Sequence, residues 1–223
     1  MKTAAAIVVL LAFGCATTRT TPAQADPVDG RALIATVAAD LTSYWSTTLA
    51  SSVPSYQGPR ATVYYSSRID TACGPTAMRN AGYCPADDAV YLDETWIDPL
   101  LATGDYTPIA ILAHEWGHEV QNQLGDDDRS SEHAYLRALE LQADCYAGMF
   151  LRSEMDGGRL DPAAAADARR FFVAAGDPSP KTRSHGTGPQ RLAWFNAGYR
   201  SATLDVCASV FRKEHAMPRI PLD

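Results

Sequence analysis

The sequence predicts an α+β fold, mainly helical with a small β-sheet, and three observations carry that reading. Apolar residues recur at helical spacing through long stretches, most clearly Leu33 to Trp45, Ile109 to Val120 and Leu136 to Phe150. Only two short runs, Ala61 to Tyr65 and Ala89 to Leu92, are β-prone. Helix-ending glycines, Gly125 and the Gly157-Gly158 pair, separate the periodic stretches. With 223 residues the chain is long enough to bury a core, and residues 26–223 are expected to form a single domain.

Residues 1–25 read as an export segment. Lys2 supplies a positive start, and Ala4 to Phe13 is apolar but too short to span a bilayer. Two processing routes compete. Ala23-Gln24-Ala25 before Asp26 is a small-x-small cleavage site, whereas Leu10 to Cys15 resembles a lipoprotein box in which Cys15 would carry the lipid. Residues 16–30, rich in Thr, Ala and Pro, read as a tether.

Without residues 1–25 the chain has 17 basic against 26 acidic residues, a net charge of about −9. No basic stripe exists to neutralise phosphates, which excludes nucleic acid as a partner. Cys73, Cys84, Cys145 and Cys207 make an even set, which in an exported protein reads as two disulfides. Cys73–Cys84 is the favoured local bridge, closing a loop rich in Gly, Pro and Asn and stabilising it by about 2–3 kcal/mol. Cys145–Cys207 would then tie the C-terminal tail to the middle of the chain. Zinc binding by the cysteines is disfavoured, since no C-x₂-C pair occurs.

Taken in order, Asp29 can cap a helix running to Leu49. A strand at Ala61–Tyr65 follows, then a loop from Gly74 to Pro85, a strand at Ala89–Leu92 and a helix from Glu94 to Leu101. Thr107 as a cap and Pro108 in the first turn open a helix over 108–124, apolar on most sides and so expected to be buried. Ser130 or Ser131 starts the next helix, near 131–153, packed against it. Helices at 161–175 and 188–200 flank a loop over 176–187.

The chemistry concentrates in His114-Glu115-Trp116-Gly117-His118. On a helix the two histidines, four residues apart, leave from one face and can reach a single Zn²⁺ at about 2.0–2.1 Å. Glu115 lies at the flank of such a metal, where a carboxylate can take a proton from water and return it to a leaving amine. Trp116 reads as core, and Gly117 as a point of close packing. A catalytic zinc needs a third protein ligand and one open position. The metzincin arrangement is excluded, because Gln121 and Leu124 stand where it requires Gly and His.

The remaining candidates are Asp126–Asp128, Glu132, His133, Glu140, Asp144, His185 and His215. The acidic run reads as a solvated turn. Glu140 and Asp144 are four residues apart among apolar neighbours, a costly place for two carboxylates without a cation. A short connection makes their helix antiparallel to the first, so Glu140 is taken as the third ligand. Asp144 is then expected to accept the free ring N–H of a ligand histidine. Two exposed helix carboxylates are the plainer alternative. His185, in Ser184-His185-Gly186-Thr187, is a weaker candidate for stabilising an oxyanion.

Set in order, these motifs resemble the bacterial putative neutral zinc metallopeptidase family. The resemblance rests on Cys73-Gly74, Tyr83-Cys84-Pro85, Val90-Tyr91-Leu92-Asp93, His114 to His118 with Val120-Gln121-Asn122, Glu140 to Gly148, and His185-Gly186-Thr187 with Gln190-Arg191. It implies a zincin-like fold, Glu140 as third ligand and both disulfides. Glu119 departs from relatives, which often carry another His there.

The expected protein is therefore an exported zinc endopeptidase acting on proteins or peptides, with a membrane contact only through a lipid on Cys15. The strand at Val90–Leu92 is expected to add substrate backbone as a further strand. A non-catalytic zinc-stabilised envelope protein that binds a partner, and a zinc hydrolase of a non-peptide substrate, are the alternatives.

Overall fold

The computed structural model describes residues 29–126, 133–178 and 185–216. The export segment with Cys15 and Ala23–Ala25 lies outside them, as do Ser130, Ser131 and Glu132. The described chain is α+β and mainly helical.

Helix α1 (Gly30–Thr48) is capped by Asp29, whose carboxylate accepts from the backbone N–H groups of Arg31 and Ala32. It buries Ile34, Val37, Leu41 and Trp45 as a continuous stripe. Strands β1 (Ala61–Tyr65), β2 (Asp70–Thr71), β3 (Gly74–Pro75), β4 (Ala81–Cys84) and β5 (Ala89–Asp93) follow. The main sheet has the order β1-β5-β4, with β5 parallel to β1 and antiparallel to β4, while β2 and β3 form a separate pair. The segment read as a loop over Gly74–Pro85 thus contains two strands. Ala81, Gly82 and Cys84 have little intrinsic β preference, and pairing with β5 overrides it.

Helices α2 (Glu94–Ala102) and α3 (Thr107–Leu124) come next. Thr107 does not cap α3; it is the first helical residue, and the helix carries no N-cap side-chain bond. The exposed amides are met instead by Asp105, which accepts from Thr107 N–H at 2.8 Å, and by Asp167, which accepts from Tyr106 N–H at 2.9 Å. At the other end Gly125 closes α3 in the left-handed conformation, φ 68°.

The long helix α4 (His133–Asp156) is followed by α5 (Ala163–Ala174), α6 (Gly188–Ser201) and α7 (Leu204–Ala216). Helix α7 has no counterpart in the sequence reading, which left the tail as a segment tied by Cys207. Leu204, Cys207, Val210 and Phe211 do carry helical spacing there. Both cysteine pairs are bonded, Cys73 to Cys84 and Cys145 to Cys207. The second joins α4 to α7 and brings the tail into the core.

Helices α3 and α4 pack antiparallel: His114 meets Asp144, His118 meets Glu140, and the Gln121 side chain reaches Leu139. Their approach is close enough that a Cβ on Gly117 would lie 2.9 Å from Ala143 Cα. Helices α4 and α6 are tighter still, since a Cβ on Gly198 would fall 1.9 Å from the Cys145 carbonyl oxygen. We expect Gly198→Ala to cost about 3 kcal/mol or more, at or beyond the usual range for overpacking, because the obstacle is backbone. Urea unfolding checks it; a loss under 1 kcal/mol would mean that the helices are free to part.

Of the carboxyl groups buried in this core, Glu119 has no cationic partner among the described residues. Glu119 accepts from the Tyr56 hydroxyl at 2.5 Å, and burial pushes its pKa up to about 7 against the favourable hydrogen bonds it accepts. The folded state therefore keeps a proton between about pH 4.5 and pH 7 that the unfolded chain has lost, so stability falls as pH rises through that window. Glu119→Gln keeps an acceptor for Tyr56 without the titration. Its stability relative to wild type should rise by up to about 3 kcal/mol between pH 5 and pH 8. Parallel pH–stability curves for the two proteins would refute this.

Candidate metal centre

The helix α3 register sets the site. His114 and His118 leave its face toward α4, their rings 4.7 Å apart and nearly perpendicular. Glu140 faces them from α4. The distances are 3.2 Å between the two Nε2 atoms, 3.3 Å from His114 Nε2 to Glu140 Oε2, and 3.6 Å from His118 Nε2 to Glu140 Oε1. Donor atoms around a tetrahedral zinc at about 2.0–2.1 Å sit about 3.3 Å apart, so the spacing is that of a metal-ligand set. Among the described residues, these three are the group able to hold a metal ion.

The polar atoms fit a cation as well. Glu140 Oε2 is buried without a hydrogen-bond partner, a costly state for a carboxylate oxygen unless a positive charge meets it. Burial opposes charge on Glu140 and on His114, but each overcomes it through its neighbours. His118 and His114 hold the Glu140 pKa well below the usual carboxylate range, and Asp144 with Glu140 raises that of His114 to about 10. The cluster thus favours a positive charge beside Glu140.

Each histidine has a partner for its other nitrogen. His114 Nδ1 lies 2.9 Å from Asp144 Oδ1, a close electrostatic contact rather than a well-aligned hydrogen bond. His118 Nδ1 lies 2.9 Å from Gln121 Oε1. The Gln121 amide donates to Leu139 O at 2.7 Å and to Gln142 Oε1 at 2.9 Å, so its oxygen faces the ring. That makes His118 Nδ1 the protonated nitrogen and leaves Nε2 for a metal. In the sequence Gln121 excludes metzincins and stands in the family motif, with no role of its own. Its partnership with His118 depends on α4, and no spacing rule reveals it.

Glu115 is buried beside this group, and its Oε2 accepts from the Tyr83 backbone N–H of β4 at 2.9 Å. Strand β4 has one strand neighbour, and this N–H shows that its open edge faces the site. The expected substrate strand, Val90–Leu92, is instead in the middle of the sheet: β5 is paired on both sides and has no edge to offer.

His185 is half exposed, with Nε2 4.0 Å from Glu140 Oε2 and Nδ1 3.8 Å from Asp177 Oδ1. Asp177 Oδ2 also accepts from the backbone N–H groups of His185 and Gly186, at 3.1 and 3.2 Å, and so holds this turn against the site. The surrounding cleft, of about 610 Å³, is lined by Asn80–Tyr83, Trp96, Ile111, Leu136, Leu139 and Phe171 besides the polar groups. The structure thus brings His114, Glu115, His118, Glu140, Asp144 and His185 together. Asp126 stands apart, its carbonyl accepting from Tyr135; Asp127 and Asp128 lie outside the described residues, as do the side chains of His133 and His215.

The profile of the family described as "Putative neutral zinc metallopeptidase" matches residues 14–210. An uncharacterized protein of Mycobacterium tuberculosis is 31% identical over 186 residues, covering 70% of this chain and 63% of its own length. The uncharacterized protein YpfJ of Escherichia coli is 32% identical over 177 residues, covering 68% and 61%. The chain thus spans somewhat under two thirds of the relatives it matches. No solved structure matches.

Replacing the charged ligand should disable metal binding without unfolding the chain. Glu140→Gln is expected to weaken zinc affinity at least about 10²-fold, beyond the usual cost of losing an outer partner. Chelator competition measures it, and an unchanged affinity would remove Glu140 from the ligand set.

Proposed function

The chain belongs to the "Putative neutral zinc metallopeptidase" family, and from that premise we propose that it is a zinc-dependent endopeptidase. The observation that carries the reading is the convergence of His114, His118 and Glu140 at an open cleft with the Glu115 carboxylate alongside. Zinc, when held by those three side chains, supplies Lewis acidity toward water and toward a carbonyl oxygen. The remaining steps are the protein's own. Glu115 is general base and then general acid: it takes a proton from water and delivers it to the departing amine. The Tyr83 N–H bond to Oε2 orients this carboxylate, leaving Oε1 without a protein partner among the described residues. His185, turned toward the site by Asp177, stabilises the oxyanion that develops on the carbonyl oxygen.

Substrate backbone adds along the open edge of β4, between Asn80 and Tyr83, in extended form. A site built to be purely structural would take a fourth protein ligand. The three-membered group, with His185 outside it, supports catalysis over a non-catalytic zinc-stabilised envelope protein.

The place of action is in or outside the bacterial envelope. Two disulfides support an oxidising compartment, and no helix among the described residues is long and apolar enough to cross a membrane. The export segment is removed before Asp26 or replaced by lipid on Cys15, and the intact mass of the membrane-extracted protein separates the two.

Glu115→Gln tests the chemistry. Zinc content should stay at the wild-type level while cleavage of unfolded protein substrates falls at least about 10²-fold. Cleavage at the wild-type rate would remove Glu115 from the reaction. A zinc-loaded wild type that cuts no peptide would shift the reading to a non-peptide substrate or a binding role.

A further inference from the structure

Arg191 is a buried cation whose paired bonds lead to the metal centre. It sits in the first turn of α6, where Thr187 and Gln190 form a capping box and fix how the helix enters the core. Its side chain is 4% exposed. Nε donates to Asp144 Oδ2 at 2.9 Å and Nη2 to Asp144 Oδ1 at 2.7 Å, a planar fork on a carboxylate that is itself fully buried. Nη1 donates to the carbonyl of Ala175, at the end of α5, at 3.2 Å. The guanidinium lies over the Phe172 ring, 5.3 Å from its centre, and Phe172 in turn borders His114.

The fork holds both carboxylate oxygens of Asp144, so the group cannot rotate without breaking two charge-assisted bonds. Oδ1 is the oxygen that also faces His114 Nδ1. A carboxylate oxygen fixed 2.9 Å from Nδ1 favours the proton there by its charge, which leaves Nε2 to face His118 Nε2 and Glu140. A lysine could supply the charge but not the plane.

We propose that Arg191 is a positioning residue of the metal centre, setting the tautomer and aim of His114 through Asp144 and so the zinc affinity, without touching the metal. The inference rests on the zinc reading of His114, His118 and Glu140. A competing role exists, because Arg191 also lines the cleft and could meet substrate directly.

The test uses the full chain with Arg191→Met, Arg191→Lys, Asp144→Asn and the Arg191→Met/Asp144→Asn double variant. Zinc affinity is read by chelator competition, ligand geometry by the visible spectrum of the cobalt-substituted protein, and folding by melting of the metal-free forms. Arg191→Met and Asp144→Asn should each weaken zinc about 10- to 100-fold and shift the cobalt bands in the same way. The double variant should bind no more weakly than the worse single one. Arg191→Lys should fall between wild type and Arg191→Met. Should Arg191→Met not fold, Arg191→Lys alone and combined with Asp144→Asn carries the same comparison.

Wild-type zinc affinity in Arg191→Met with a raised KM would assign Arg191 to substrate and overturn the proposal. Losses that multiply in the double variant would also overturn it, showing a route other than Asp144. A wild-type protein that takes up no zinc would overturn the metal reading itself, a result distinct from both.

Discussion

The close contact between α3 and α4 is the constraint on which the rest depends. Gly117 has no room for a Cβ against Ala143, and this proximity lets short side chains from two helices share one point in space. With the helices an ångström or two further apart, Glu140 could not lie 3.3 Å from His114 Nε2, nor Gln121 reach both Leu139 O and His118. The contact is local, but it is held from outside by backbone-tight packing of α6 on α4, the Cys145–Cys207 bond and the apolar core behind Trp116.

Charge around that contact is arranged in pairs. Asp144 is neutralised by the Arg191 fork, and Glu119 lies within reach of Tyr56 on the far side of α3. Glu140 has a buried oxygen without a hydrogen-bond partner, as Glu119 has, but it faces two histidine nitrogens rather than a hydroxyl. Burial of an unpaired carboxylate is costly; Glu119 meets the cost by holding its proton, whereas the histidines around Glu140 keep it charged and suit it to a cation. The electrostatics and the ligand spacing therefore point to the same atom position by separate routes.

Most of the helices and the heart of the site were legible in the residues themselves. His114 and His118 declare themselves because their spacing equals a helical turn, and Glu140 with Asp144 because two carboxylates repeat that spacing on an apolar stretch. What sequence reasoning missed is what depends on distant partners. Strand β4 lacks β-forming residues and exists because β5 pairs with it; that pairing also moved the open sheet edge from Val90–Leu92 to Ala81–Cys84. Gln121, Asp177 and Arg191 are ordinary polar residues until α4, the turn at His185 and α6 bring their partners to them. Helix α7 was hidden by a short segment read only for its cysteine.

The contact of Gly198 with the Cys145 carbonyl has a mechanical consequence. Backbone lying on backbone has no side-chain cushion, so α4 and α6 move as one bar, and Asp144 and Arg191 ride on it with Glu140 one turn away. The opposite side of the cleft is the four-residue strand β4, held by pairing with β5, by the Cys73–Cys84 bond, by Asn122 Nδ2 donating to the Tyr83 hydroxyl at 3.0 Å, and by the Tyr83 N–H bond to Glu115. The two walls of the cleft are thus tied to different neighbours, one to α6 and the other to the sheet and α3. A shift of β4 along this edge would carry the Glu115 carboxylate with it, because the Tyr83 N–H bond makes the strand and that side chain one mechanical unit.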